Sequence, residues 1–224
     1  MEDQLKAIRT NVQRLLVEIP ASVTIVAACK TRTISEVEAA FEAGLRHFGH
    51  NYVQETQAML PKLSIKADWH LIGHLQRNKS TEAVQLFDRM DSVDSIRLAQ
   101  ELEKCCLELG KVLPVMIEVN SGHEVNKSGT TPEDVVALAE FVSHQSHLHL
   151  EGLMTMGPRS GDPQESRPYF IETRRLFEQL AALALPNTNM RFLSMGMSNS
   201  YQVAMQEGAN MIRLGTAIFG NRGQ

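Results

Sequence analysis

Cysteine is scarce in this chain: there are three, Cys29 and the adjacent pair Cys105 and Cys106, with no Cys-x-x-Cys spacing. Three such thiols make no disulfide framework of the secreted kind and no structural zinc set. A basic surplus is missing too. Lys and Arg number 22 against 26 Asp and Glu, for a net charge of −4, and that balance argues against a nucleic-acid footprint. Long apolar runs are also absent. The most apolar stretch, Val23 to Cys29, falls far short of the ~20 residues that cross a bilayer, and the opening Met1-Glu2-Asp3-Gln4-Leu5-Lys6 has no apolar signal core. A cytoplasmic protein without a membrane segment is expected. No Ser/Gly linker, low-complexity tract or charge block divides the sequence, so a single domain over residues 1–224 is expected.

What the chain does contain is regular alternation. Leu5, Ile8, Val12, Leu15 and Leu16 mark an opening amphipathic helix that stops near Pro20. β-rich runs follow at Val23–Cys29, Arg46–Gly49, Trp69–Gly73, Arg89–Val93, Leu113–Val119, His149–Thr155, Arg191–Ser194 and Met211–Leu214, eight in all. Helix-compatible segments lie between them at Ile34–Ala43, Tyr52–Leu60, Lys79–Phe87, Ile96–Leu109, Pro132–Val142, Gln164–Leu183 and Ser200–Glu207. Gly44, Gly110 and Gly208 close three of these with the left-handed cap signal. Strands without strict polar alternation, each followed by a helix, read as parallel strands covered by helices. Eight units in 224 residues favour an α/β fold of the closed (β/α)8 TIM-barrel type, with an extra N-terminal helix, over an open doubly wound sheet. No Gly-x-Gly-x-x-Gly follows the first strand, which weakens the open alternative further.

Barrel active sites lie at the C-terminal ends of the strands. Strand one ends in Cys29-Lys30-Thr31, and alternation puts Lys30 on the face of Ala28, Val26 and Thr24, opposite Cys29. A desolvated lysine there has a lowered pKa and attacks aldehydes as the neutral amine; the alternative is a snorkelling lysine that merely ends a strand. Strand seven runs into Ser194-Met195-Gly196-Met197-Ser198 and strand eight into Arg213-Leu214-Gly215-Thr216, each opening a helix. Such loops often build barrel phosphate sites from backbone N–H groups, although Gly and Ser are also ordinary helix-start residues. Together with Lys30 they suit a ligand bearing both an aldehyde and a phosphate, and pyridoxal 5′-phosphate (PLP) is the candidate.

The histidines invite a metal reading: His47 and His50, His70 and His74, and the cluster His144, His147 and His149. His70 and His74 flank a strand end rather than sharing a helix face, and no Cys or paired carboxylate completes a tetrahedral set, so no metal is expected. The methionines, among them Met154, Met156, Met195 and Met197, are expected to fill the barrel.

Several motifs stand in order along the chain: Ala28-Cys29-Lys30-Thr31, Phe48-Gly49-His50-Asn51-Tyr52-Val53-Gln54-Glu55, Trp69-His70-Leu71-Ile72-Gly73-His74-Leu75-Gln76-Arg77-Asn78-Lys79, Asn126-Lys127-Ser128-Gly129, Gly152-Leu153-Met154-Thr155-Met156, Leu193-Ser194-Met195-Gly196-Met197-Ser198 and Arg213-Leu214-Gly215-Thr216-Ala217-Ile218-Phe219-Gly220. Together they closely resemble the pyridoxal phosphate homeostasis proteins, a family related to the N-terminal barrel of fold-type III enzymes such as alanine racemase. The resemblance covers essentially the whole chain. It implies a fold-type III PLP-binding barrel in which Lys30 holds the cofactor as an internal aldimine. It also implies that Ser198, Gly215 and Thr216 hold the phosphate, that Asn51 and the His70 to Gly73 segment line the ring, and that Arg213 faces the pyridine nitrogen. Arginine cannot accept the pyridinium proton, so it disfavours the ring form that is the strongest electron sink.

Two-base racemisation needs a second acid/base across the cofactor. In fold-type III racemases it is a tyrosine from an additional C-terminal domain, whereas this sequence ends at Gln224, eleven residues after Arg213. Tyr52, Tyr169 and Tyr201 are expected to pack on helices with their hydroxyls in water. The expected function is therefore a monomeric carrier that buffers PLP, supports its supply to apo-enzymes and serves vitamin B6 and, indirectly, amino-acid homeostasis, without being an enzyme. A weak racemase or lyase, and a cofactor-free Schiff-base aldolase, are the alternatives. Lys79 and Lys127 belong to the shared motifs, and one of them is expected to ease cofactor exchange unless both are solvated loop residues. Two departures from the family pattern remove negative charge near the expected mouth: His50 in place of a frequent Glu, and Asn199-Ser200-Tyr201-Gln202 in place of a more acidic helix start.

Overall fold

The computed structural model describes residues 2–124, 127–158 and 161–221. Among the residues named above, Met1, Asn126 and Gln224 lie outside them. Helix α1 (Glu2–Glu18) precedes an unbroken alternation: β1 (Thr24–Ala28), α2 (Ile34–Glu42), β2 (His47–His50), α3 (Val53–Met59), β3 (Asp68–Leu71), α4 (Ser80–Leu86), β4 (Arg89–Val93), α5 (Ile96–Leu109), β5 (Leu113–Val119), α6 (Val135–Ser143), β6 (Leu148–Thr155), α7 (Arg167–Leu183), β7 (Thr188–Ser194), α8 (Tyr201–Gln206), β8 (Met211–Leu214) and α9 (Thr216–Phe219). The strands pair in chain order, all parallel, and β8 closes onto β1 through Thr24↔Met211 to Ala27↔Leu214. The expected barrel and its extra N-terminal helix are therefore both present.

Local chemistry accounts for the element ends. Thr33 and Glu36 form a reciprocal capping box at the start of α2. Ser95 caps α5 through the Leu98 N–H, and Gly110 ends it at φ 62°, in the left-handed region that glycine enters without penalty. Proline explains a recurrent difference. The expected helices Pro132–Val142 and Gln164–Leu183 begin instead with 3₁₀ turns at Pro132–Asp134 and Pro163–Ser166, where a residue with no N–H is tolerated.

The core has two compartments. Inside the barrel, Val26, Ile72, Met116 and Met211 pack with Ala28 and Phe192. Outside it, a larger layer including Phe48, Leu71, Phe87, Ile117 and Phe170 seals strands to helices, each such side chain contributing about 1.5–3 kcal/mol by its burial. Ile8, Val12 and Leu15 bury one stripe of α1, which packs against α2 and α9. Among the described residues no helix is long and apolar enough to cross a membrane.

Polar residues fill one interior layer. The His70 ring meets Asp91 Oδ2 at 2.7 Å through Nδ1 and His47 Nδ1 at 3.2 Å through Nε2. Arg89 bonds Asp91 at 3.3 Å and Glu151 at 2.7 Å, and its guanidinium lies over the Phe192 ring. Burial pushes the Asp91 carboxyl up, but the charges of His70, Arg89 and Arg213, with the His70 hydrogen bond, overcome this and hold it below its ordinary value.

Candidate functional site

A cavity of about 770 Å³ opens at the C-terminal ends of the strands, where the loops of a barrel converge. Of the seven residues expected there, six line it: Lys30, Asn51, Ser198, Arg213, Gly215 and Thr216. Lys30 lies in the turn beyond β1, on the face shared with Ala28, which also lines the cavity. The next residue, Thr31, adopts φ 63° and donates its hydroxyl to the Lys30 carbonyl at 2.6 Å. A β-branched residue in the left-handed region is strained, and such strain is held by its surroundings. Arg32, the following residue, supplies that hold: it bonds Glu36 at 3.3 Å and the Gly220 carbonyl at 3.0 Å.

Backbone donors collect at the β7–β8 side. The N–H groups of Gly215 and Ala217 both point at Ser198 Oγ, at 3.1 and 3.2 Å. An added Cβ at Gly215 would meet Ala28 Cβ at 3.8 Å, an ordinary contact, so packing within the protein does not call for glycine there. Its bare Cα instead leaves the cavity open to close approach by a ligand. Gly73, by contrast, is required by the protein itself, because a Cβ there would come within 2.5 Å of the Asn51 carbonyl oxygen. That contact brings the β2 and β3 loops together in the cavity wall.

Arg213 is buried and makes two hydrogen bonds through its guanidinium. Nη1 donates to Ser194 Oγ at 2.6 Å and Nη2 to the Thr155 carbonyl at 2.7 Å. Burial pulls its pKa down to about 10 against the opposing charges of Asp91 and Glu118, so it remains a cation at neutral pH. Guanidinium donates and does not accept. These features fit PLP: the Ser198 and Thr216 hydroxyls beside an unhindered glycine for a phosphate, a lysine for an aldehyde, and a donor-only cation in the wall.

His70 departs from the expectation. It does not line the cavity, and both ring nitrogens are taken by Asp91 and His47 in the interior layer below. Ile72, Gly73 and His74, further along the same segment, reach the cavity instead. His50 is likewise not at the mouth. Its buried ring stacks on Trp69 and lies 3.7 Å from Glu55, and burial lowers its pKa. The charge lost relative to the family's usual Glu is therefore lost behind the barrel wall.

The tyrosines divide. Tyr201 donates to Glu18 at 2.5 Å and ties α8 to α1, so its hydroxyl is not in water. Tyr169 packs beside Gly122 with Lys127 near its ring. Tyr52 alone of the three lines the cavity, and it is 59% exposed. Lys79 also lines the cavity and pairs with Glu82 at 3.0 Å. Lys127 pairs with Glu124, beside the cavity-lining Ser128. Met156 and Met197, expected as barrel filling, are cavity residues; Met154 is buried, and Met195 is buried in the layer outside the barrel. Among the described residues no three His, Cys, Asp or Glu side chains are grouped to hold a metal. Asn199, expected near the mouth, lines the cavity, whereas sequence reasoning assigned no role to Glu118, Gln54 or Gln76; for Glu118 the available signal was a charge alternating with Met116 in an apolar strand.

A closed parallel barrel with a lysine after β1 and clustered N–H groups after β8 defines a class, and the model of the alanine racemase N-terminal domain family matches residues 4–223. The alanine racemase of Clostridium difficile superposes with a TM-score of 0.79 over 99% of this chain and 58% of its own, at 14% identity, a likeness of fold. The pyridoxal phosphate homeostasis protein of Pasteurella multocida is 35% identical, covering 99% of this chain and 97% of its own. PipY of Synechococcus elongatus, in a structure with PLP bound, is 34% identical with a TM-score of 0.87 over 95% of this chain and 100% of its own. This chain belongs to the pyridoxal phosphate homeostasis protein family.

Proposed function

We propose that the cavity binds PLP covalently through Lys30 and that the protein carries and buffers it, contributing to PLP supply and vitamin B6 homeostasis. One observation carries this reading: Lys30 shares one cavity with Ser198, Thr216 and the unhindered Gly215, an amine and two hydroxyls in a single enclosure. PLP supplies an electrophilic aldehyde and an electron-accepting ring. Lys30 is the amine that would hold the aldehyde. Ser198 and Thr216, beside Gly215, would hold the phosphate, Asn51 would border the ring, and Arg213 would offer the ring nitrogen donors and no proton acceptor, which would suppress carbanion chemistry. The PLP bound by PipY supports the cofactor assignment.

A carrier rather than an enzyme is supported by where the acid/base candidates sit, since Tyr201 is committed to Glu18 and Tyr169 packs on Gly122. Tyr52 in the cavity wall is the one observation favouring a weak racemase or lyase. We place the protein in the cytoplasm as a monomer that hands PLP to apo-enzymes; its three unpaired, buried cysteines suit a reducing compartment. Mixing PLP-loaded protein with an apo PLP-dependent enzyme should restore that enzyme's activity. In deuterated water, incubation with L- or D-amino acids should give no α-proton exchange at enzymatic rates. Rapid exchange, lost in Tyr52→Phe, would establish the enzyme reading instead.

A further inference from the structure

Glu118 lies inside the barrel, where β5 alternation aligns it with the interior Met116. It is 2% exposed, and its Oε2 has no hydrogen-bond partner. Two charged groups face it, Arg213 from β8 and Asp94 just after β4; its register neighbour on β6 is the uncharged Met154. Both charged groups are engaged elsewhere. Arg213 donates to Ser194 and Thr155, while Asp94 accepts from His74 at 3.0 Å and from Ser95 at 3.0 Å. Glu118 therefore meets Arg213 through charge and not through a hydrogen bond. A buried carboxylate held in this way sheds its desolvation cost by taking a proton.

We propose that Glu118 is a proton switch behind Arg213 that couples retention of an anionic pyridine phosphate to pH. The inference rests on the PLP reading above. Glu118 does not line the cavity and acts through Arg213, as a positioning residue. With Glu118 protonated, Asp91 is the carboxylate whose charge still acts on Arg213, and more of the Arg213 charge is left for the cavity. With Glu118 ionised, its carboxylate offsets that charge, and an anionic ligand is held less tightly. Binding such a ligand therefore draws one proton onto Glu118, and release returns it. Burial and Asp94 push this carboxyl up against the pull of Arg213, to about 7, so the switch works near neutral pH.

The test uses 4-deoxypyridoxine 5′-phosphate, which has no aldehyde, so that Lys30 titration does not enter. Its affinity for the full chain is measured at pH 6 and pH 8.5 in wild type and Glu118→Gln. The ligand's own protonation is common to both proteins and cancels in the comparison. Wild type should lose about tenfold more affinity than Glu118→Gln as pH rises, within the usual range of coupling between sites. Equal losses in the two proteins would overturn the switch, whereas no binding by either protein at any pH would overturn the PLP reading instead. Carboxyl ¹³C NMR of wild type reads the same event without a variant: the Glu118 midpoint should rise on ligand binding, and an unmoved midpoint contradicts the proposal.

Discussion

The hydroxyl of Ser198, after β7, accepts the backbone N–H of Gly215, after β8, at 3.1 Å, and the same oxygen accepts the N–H of Ala217 at 3.2 Å. One side chain of the loop after β7 thus holds two N–H donors of the segment after β8. Ser198→Ala removes that acceptor and should cost about 1–2 kcal/mol of stability, read as a lowered Tm, with a roughly tenfold loss of PLP affinity.

Gly215→Ala separates ligand approach from folding. Its φ of −113° is open to any residue and the added methyl meets only Ala28. Stability should change by less than about 0.5 kcal/mol, while PLP affinity falls because the methyl occupies space the phosphate needs. Unchanged affinity would remove Gly215 from the phosphate site.

Asp91 holds the interior polar layer together through His70 and Arg89. Asp91→Asn should cost about 3 kcal/mol in urea unfolding at neutral pH, because breaking a buried pair strands the remaining charge. Its carboxyl sits below the ordinary value, so this contribution is present above an unfolded pKa of 3.8 and is lost as pH falls through the depressed folded value. Wild type and variant should converge in acid.

Glu118 has the opposite sign. Its folded pKa of about 7 lies above the 4.5 of an ordinary Glu, so the native state binds the extra proton, and wild-type stability falls as pH rises between these values. At pH 8 the penalty is about 3 kcal/mol. Glu118→Gln should be more stable than wild type by up to that amount at pH 8 and should show no such gain at pH 4.5, as measured by denaturant titration at the two pH values.

Much of the fold was legible because turn chemistry brackets its elements. Arg89–Val93, Leu113–Val119, Met211–Leu214 and Ile96–Leu109 stand as the sequence predicts, the last between the Ser95 cap and Gly110. β7 starts earlier than expected, at Thr188, because the polar Thr188 and Asn189 beside Pro186 carry no strand signal. Within the site, alternation assigns Lys30 to the inner face and the family resemblance points to Arg213, and both line the cavity. Alternation does not give depth. Strand tilt and stagger set the layer each inward residue occupies, which is why His70 lies in the polar layer below while Ile72, two residues on, reaches the cavity. The bearing of Glu118 on Arg213 was hidden for a related reason: β5 and β8 approach each other only across the closed barrel.

Lys79 and Lys127 both hold carboxylate partners near the cavity, Glu82 and Glu124. At least one of Lys79→Ala and Lys127→Ala should slow PLP transfer to an apo-enzyme while leaving total bound PLP unchanged. Stopped-flow transfer assays decide this, and unchanged rates in both would show that these lysines take no part in exchange.

The most direct test of the central claim compares wild type with Lys30→Ala after incubation with PLP. Wild type should show a visible absorption band, and borohydride reduction should leave a pyridoxyl-phosphate mass on the peptide containing Lys30. Lys30→Ala should show neither. Colourless wild type without the adduct, or an adduct of equal yield in Lys30→Ala, would contradict the assignment of Lys30 as the residue that holds PLP.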